Sequence, residues 1–140
     1  MKILLAADGS KYTKKAAAFL ATHERLASPD DEIVLLHVQP PVPPRVKTML
    51  GASAVSAYHA DEAAKVLKPL EGFLKRHDLK FRSTWVIGSP SAEVVRVAKK
   101  EKAHMIVMGT HGHGVIGRAL MGSVAQNVVS ECDIPVLLVK

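Results

Sequence analysis

Residues 105–123, MIVMGTHGHGVIGRALMGS, combine the residue types that bind phosphate groups. The segment contains five glycines, at positions 109, 112, 114, 117 and 122. They follow a short apolar run, Met105–Gly109, and they allow a backbone to approach an anion closely. Ser123 then opens a predicted helix, with Gln126 completing a capping-box pattern. Because free N–H groups at a helix start attract anions, the segment predicts a phosphate site, with Ser123 as helix cap, phosphate ligand or both.

A second polar group, Asp8-Gly9-Ser10, ends the first predicted strand. In open parallel sheets, ligands bind beyond the carboxyl ends of the strands, where the strand order reverses. If the strands ending at Ala7 and Gly109 are neighbours, their loops share one crevice. The Asp8 carboxylate would then accept hydrogen bonds from ribose hydroxyls. A plain turn that caps the following helix is the alternative interpretation.

Apolar runs and helical periodicity alternate along the chain and predict the elements that position these loops. Strands are predicted at 2–7, 32–38, 81–87, 105–109 and 136–139, and helices at 13–26, at 54–77, after Ser89 and from 123. This β-α-β-α-β-α-β-α-β order predicts an α/β fold, a doubly wound five-stranded parallel sheet with helices on both faces. The length of 140 residues suits a single domain, 1–140.

Prolines interrupt the alternation of strands and helices in two segments. Residues 39–50 hold PPVPP without a clean period, which predicts a loop. Pro69 and Gly72 interrupt the long second helix, so a kink or a break is expected near Lys68.

Composition narrows the classes of partner. The formal net charge of +6 suits an anionic ligand, but the basic residues are scattered along predicted helices, as at Lys14–Lys15 and Lys99–Lys100. One tryptophan, Trp85, and five other aromatic residues form no basic and aromatic stripe, so no nucleic-acid partner is expected.

Cysteine content and hydropathy indicate the cellular location of the protein. The single cysteine, Cys132, excludes an internal disulfide and fits a reducing compartment. Asp8 interrupts the apolar start too early for a signal peptide, and no apolar run approaches the length of a membrane span. We therefore expect a cytoplasmic protein with no membrane partner.

Three common motifs do not explain the glycine loop. A P-loop requires a lysine directly after its last glycine, and none is present. Residues 112–117 match GxGxxG, but the helix starts only at Ser123, so we treat the match as chance. His111-x-His113 lacks a third ligand in sequence, and no metal site is expected there.

The wider spacing Gly109-x2-Gly112-x9-Gly122-Ser123 resembles the ATP-binding branch of the universal stress protein family, which carries Gly-x2-Gly-x9-Gly-[Ser/Thr]. The resemblance extends over the whole chain, including ILLAADGS, LLHV, VIGSP, GSVAQNVV and CDIPVLLVK. It implies a Rossmann-like sheet with the strand order 3-2-1-4-5 and ATP, alone or with Mg²⁺, at the switch-point crevice.

The resemblance also assigns roles to residues. It implies that Ala6, Ala7 and Val38 flank the adenine, that Asp8 takes the ribose, and that Met108 and Gly109 line the nucleoside side. It places Gly112, Gly122, Ser123 and Val124 around the phosphates. His111 and His113 stand where many family members have Arg or Lys. Since histidine is only partly charged near pH 7, phosphate attraction is expected to be weaker or pH-dependent, with Arg118 as a fixed charge.

The function expected from these features is an ATP-binding stress-response regulatory module. No nucleophile, base and orienting group form a recognisable set, so an enzyme is not the first expectation. The family resemblance implies at most slow ATP hydrolysis or autophosphorylation. The alternatives are an adenine-nucleotide hydrolase or adenylyl-transfer enzyme, and a stress-related interaction protein without a nucleotide. Val136–Val139 is an apolar run expected at a sheet edge, which predicts a homodimer through this strand, as the resemblance also implies.

Overall fold

The computed structural model describes residues 1–112 and 121–140, in which strands alternate with helices. The strands are Lys2–Ala7 (β1), Glu32–Gln39 (β2), Phe81–Ile87 (β3), Met105–Gly109 (β4) and Val136–Val139 (β5). The helices are Lys11–Thr22 (α1), Pro44–Leu50 (α2), Ala52–Arg76 (α3), Pro90–Lys100 (α4) and Ser123–Glu131 (α5). The five predicted strands are confirmed, each with ends within one residue of the prediction.

The strands form one parallel sheet in the order β3-β2-β1-β4-β5, which confirms the expected order. β1 lies at the centre and pairs with β2 on one side and β4 on the other. The chain therefore leaves β1 toward β2 and β3, and returns to the opposite side of β1 for β4 and β5. The switch point lies where the loops after β1 and β4 diverge.

Helices cover both faces of the sheet, and β1 shows how the sequence builds the two layers. Ile3 and Leu5 pack with α1 and α3 on one face, whereas Leu4 packs with α4 and α5 on the other. All three side chains are fully buried. Burial of each contributes about 1.5–3 kcal/mol, so this strand anchors the carboxyl edge where its loop begins.

The structure differs from the sequence predictions in three of the helices. Residues 39–50 include the helix α2, which starts at Pro44 and has no buried residue. Proline is tolerated in a first helical turn, and without a buried face the segment shows no hydrophobic period. Near Lys68 a kink or a break was expected; the break is absent, because α3 continues through Pro69, and the kink stays a prediction. Apolar residues on both sides of Pro69, Leu67 and Leu70, are buried in the core, which offsets the missing backbone hydrogen bond.

The first helix is also displaced from its predicted bounds of 13–26. Ser10 caps it, because its Oγ accepts a hydrogen bond from Thr13 N, and α1 therefore begins at Lys11. It ends at Thr22, and the His23 ring bonds to the carbonyl of Phe19, four residues earlier. The chain thus enters α1 directly from the Asp8 turn.

Charges at the amino edge of the sheet are paired. Arg82 on β3 donates to Glu32 Oε1 at 2.8 Å and also bonds to Glu101 after α4. The hydrogen bond from Arg82 lowers the pKa of both carboxyl groups, and the two carboxylates raise the pKa of Arg82. Arg82 is exposed and the two glutamates are partly exposed, so these pairs add little stability.

Candidate functional site

A cavity of about 690 Å³ opens at the carboxyl edge of the sheet, beside the switch point. Its volume lies within the range of about 300–1,000 Å³ that is typical of small-molecule sites. The structure brings all eleven predicted site residues to its wall: Ala6, Ala7, Asp8, Val38, Met108, Gly109, His111, Gly112, Gly122, Ser123 and Val124. Their role in binding stays a prediction. His113 and Arg118 lie outside the described residues.

One end of the cavity is apolar and continues into the core. Val38 and Met108 are both buried and belong to the layer between the sheet and α4 and α5. Sequence analysis missed the other lining residues of this part, Leu36, Pro40, Pro90, Val94, Met121 and Ala125. Pro90 and Val94 were detectable in principle, because α4 starts at the same edge as the predicted loops. An apolar slot of this kind accommodates a planar ring.

Asp8 presents one carboxylate oxygen to the turn and the other to the glycine loop. Its Oδ1 accepts hydrogen bonds from Ser10 N at 2.9 Å and from Thr13 Oγ1 at 2.8 Å. Thr13 Oγ1 in turn accepts from Asp8 N at 3.1 Å. On the other side, a Cβ added to Gly112 would lie 2.4 Å from Asp8 Oδ2. The two interpretations of Asp8 are therefore compatible, since the turn uses Oδ1 and Oδ2 faces the crevice.

The start of α5 differs from the predicted capping box. Gly122 is the N-cap, Ser123 is the first helical residue, and no side-chain hydrogen bond caps the helix. Gly122 N donates to Thr110 O at 2.7 Å, and this hydrogen bond holds Gly122 in an extended conformation. The N-cap is therefore Gly122, one residue before the predicted Ser123. Gln126 N bonds to Gly122 O. The first N–H groups of α5 thus meet the cavity without a side-chain acceptor from the described residues.

Thr110 positions the glycine loop, and sequence analysis missed it. Its N–H donates to Val139 O on β5 at 2.9 Å, while its carbonyl accepts from Gly122. Its Oγ1 lies 2.8 Å from His111 Nδ1, and the residue is buried. Thr110 therefore links the end of β4, the edge strand β5 and the start of α5. Nothing in the local sequence pattern distinguishes such a residue from an ordinary strand end.

Tyr12 on α1 explains why residue 109 is a glycine. A Cβ at Gly109 would lie 2.4 Å from Tyr12 Cβ and 3.0 Å from its backbone carbon. The Tyr12 ring also packs against His111, with 5.0 Å between the ring centroids. The close approach of α1 to β4 thus depends on the missing side chain at this position.

His37 lines the cavity as a buried structural histidine. Its Nδ1 bonds to Ala7 O at 2.8 Å, and its Nε2 lies 2.9 Å from Gln39 Oε1. Since a carbonyl oxygen only accepts, Nδ1 carries a proton and donates to Ala7. The interaction holds the end of β1 against β2 directly before Asp8.

Two other kinds of site were sought in residues 1–112 and 121–140. No group of three or more His, Cys, Asp or Glu side chains there could hold a metal ion. No helix within these ranges has the length and apolar character needed to cross a bilayer.

Comparison with protein families and curated sequences gives one consistent result. The model of the universal stress protein family matches residues 1–140. A universal stress protein of Thermus aquaticus is 34% identical over 140 residues, which covers 99% of this chain and 97% of that protein.

Solved structures share the fold over nearly the whole chain. The protein MJ0577 of Methanocaldococcus jannaschii is 29% identical with a TM-score of 0.84, covering 99% of this chain and 94% of that one. A universal stress protein from Archaeoglobus fulgidus in complex with dAMP has a TM-score of 0.73 at 20% identity, covering 100% and 98% of the two chains. An Arabidopsis thaliana family protein with AMP bound and a universal stress protein in complex with cAMP have TM-scores of 0.69 and 0.66. The Arabidopsis protein is 18% identical, and the match covers 100% of this chain and 91% of that one. The protein in complex with cAMP is 19% identical, and the match covers 99% of this chain and 95% of that one.

Proposed function

Because this chain belongs to the universal stress protein family, we propose that it is a regulatory module that binds ATP in the cavity between the loops after β1 and β4. The observation that carries the proposal is the convergence of eleven sequence-predicted residues on one cavity of about 690 Å³. Structural neighbours that bind AMP, dAMP and cAMP support an adenine nucleotide as the ligand class.

The chemistry of the cavity fits the three parts of a nucleotide. The apolar slot beside Ala6, Ala7 and Val38 would take the adenine. Asp8 Oδ2 is an acceptor for a ribose hydroxyl, held in place because Oδ1 is fixed by the turn. The uncapped N–H groups of α5 would take the phosphates.

Magnesium, if it accompanies ATP, would be held chiefly by phosphate and water. Asp8 is the one carboxylate among the described residues of the lining. Mg²⁺ usually keeps several waters and binds through one or two carboxylates together with substrate phosphates, which matches this composition. In the proposed function the bound nucleotide changes the conformation of the protein or its binding to a partner, and turnover is at most slow.

The proposal is tested by the nucleotide that the protein carries. Denaturing freshly purified protein and separating the supernatant by chromatography is expected to release adenine nucleotide. Gly122→Val is expected to release none, since two methyl groups at the start of α5 fill the phosphate end. The matched control is Gly72→Ala on α3, remote from the cavity, which should release as much nucleotide as the wild type. Equal release by a stably folded Gly122→Val variant would contradict the assignment.

A homodimer through β5 forms part of the same proposal. β5 pairs only with β4 among the described strands and is therefore an edge. The carbonyl of Pro135 accepts a hydrogen bond from Ile106 on β4, and that of Val139 accepts one from Thr110, directly after β4. By alternation, the N–H groups of Val136 and Leu138 point away from the sheet and are available to a second copy of the chain.

Proline substitution tests which edge is used. Leu138→Pro removes an outward N–H and is expected to convert a micromolar dimer into a monomer in sedimentation velocity. The matched control is Ile87→Pro at the opposite edge. Gly88 N donates inward to Gln39 O, so the N–H of Ile87 also points outward, and this variant should stay dimeric. A monomeric wild type, or a dimer lost only in Ile87→Pro, would refute pairing through β5.

A further inference from the structure

Three exposed lysines stand at the start of α1 without acidic partners. Lys11, Lys14 and Lys15 fall within the first five residues of the helix, whose first turn has no acidic residue. None of them forms an ion pair with a described residue, unlike Lys2 and Arg82 at the amino edge. The start of α1 therefore carries three positive charges without an ion pair to a described residue.

This placement opposes the charge pattern of α4 and of the C-terminus of α3. The positive end of a helix dipole disfavours nearby cations and favours cations at the C-terminus. α4 has Glu93 in its first turn and Lys99 and Lys100 in its last, and α3 ends on basic residues as well. α1 has no basic residue in its last turn. Local rules of this kind are commonly broken at functional sites.

The ring of Tyr12 contacts two of these lysines and one residue of the cavity wall. Lys11 Nζ lies 5.3 Å and Lys15 Nζ 5.6 Å from the ring centroid, within the range of a cation–π contact. The ring itself is fixed by its packing against Gly109 and against His111, which lines the cavity. We call Lys11, Lys15, Tyr12 and His111 the basic rim.

We propose that the basic rim selects nucleotides with two or more phosphates over nucleoside monophosphates, an inference that rests on the proposed function. The adenine slot, Asp8 and the start of α5 account for base, ribose and one phosphate. A longer phosphate chain carries further negative charge that these groups leave unmatched. Lys11 and Lys15 lie against the Tyr12 ring, next to the cavity-lining His111, and supply the matching positive charge to the outer phosphates. The added anion relieves their repulsion with the helix dipole.

The test compares ATP and AMP on the same proteins by isothermal titration calorimetry at fixed pH and salt. In the double variant Lys11→Gln/Lys15→Gln, the Kd for ATP is expected to rise about tenfold, and the Kd for AMP less than about twofold. The salt dependence of ATP binding should also weaken. The matched control is Lys99→Gln/Lys100→Gln, which removes the same charge from the far edge and should leave both affinities unchanged.

The outcomes separate this inference from the function on which it rests. A wild type that binds neither nucleotide overturns both. A wild type that binds both, with ATP affinity unchanged in the Lys11/Lys15 variant or ATP and AMP weakened by equal factors, overturns the basic rim alone. A parallel loss in the Lys99/Lys100 control would reduce the effect to net charge and would also overturn it.

Discussion

Gly112→Ala is expected to weaken nucleotide binding about 100-fold while the protein stays folded. The added Cβ would lie 2.4 Å from Asp8 Oδ2, whereas carbon–oxygen contacts are ordinarily about 3.3 Å or longer. Asp8 cannot yield freely, because its Oδ1 is bonded to Ser10 N and Thr13 Oγ1. Relief of the clash therefore moves the carboxylate that is proposed to take the ribose, and narrows the crevice as well.

A double-mutant cycle isolates this contact. Asp8→Ala alone should also weaken binding, since it removes the ribose acceptor. If the effect of Gly112→Ala acts through Asp8, adding it to Asp8→Ala should cost little more, whereas independent effects would add. Titration calorimetry with ATP gives the affinities, and urea denaturation verifies that each variant is folded. Full affinity in the single variant Gly112→Ala would mean that the ligand lies elsewhere.

The sheet and the meeting of the loops after β1 and β4 were predictable because short-range patterns encode the strands and their ends. Buried parallel strands form continuous apolar runs, as in Lys2–Ala7, and turn residues mark their ends. The loops at the carboxyl edge converge by topology, so Asp8 and Gly112 meet although about 100 residues separate them.

The missed features depend on contacts between elements that are distant in sequence. α2 lacks a buried face, so periodicity had nothing to detect. Pro69 suggested a break that core packing overrides. Thr110 and Tyr12 act through a strand, a helix and a loop that meet only in the folded chain. The N-cap of α5 is Gly122 instead of the predicted Ser123 for the same reason, since Gly122 N–H donates to the carbonyl of Thr110.

The role of Gly109 shows how a residue of a binding motif can act through packing. Its Cα faces the backbone of α1, and an added Cβ would lie 3.0 Å from Tyr12 C and 3.2 Å from Tyr12 O, besides the 2.4 Å contact with Tyr12 Cβ. Rotation of a side chain cannot relieve contacts with backbone atoms. A methyl group at this position must push α1 away from β4.

Gly109→Ala is therefore expected to lower the free energy of unfolding by about 3 kcal/mol, the upper part of the range for overpacked cores. For a chain of this length, that loss corresponds to a fall in Tm of roughly 10 °C. Urea denaturation gives the free energy, and calorimetry gives Tm. The matched control is Gly72→Ala in α3, where the added Cβ meets only the flexible end of Arg76 at 3.4 Å. Since alanine favours a helix over glycine, this control should gain about 0.5–1 kcal/mol.

A second substitution determines whether Tyr12 causes the loss. Tyr12→Gly removes the atom in the shortest contact, so Gly109→Ala should cost less in that background than in the wild type. Backbone contacts at 3.0 Å and 3.2 Å remain, and recovery should be partial. An unchanged stability of Gly109→Ala would show that α1 approaches β4 less closely than described. Excess ATP should raise the Tm of Gly109→Ala by the same amount as it raises the Tm of the wild type. Together with the loss of stability, this result would show that Gly109 allows α1 to pack against β4, and that phosphate binding depends on Gly112 and Gly122.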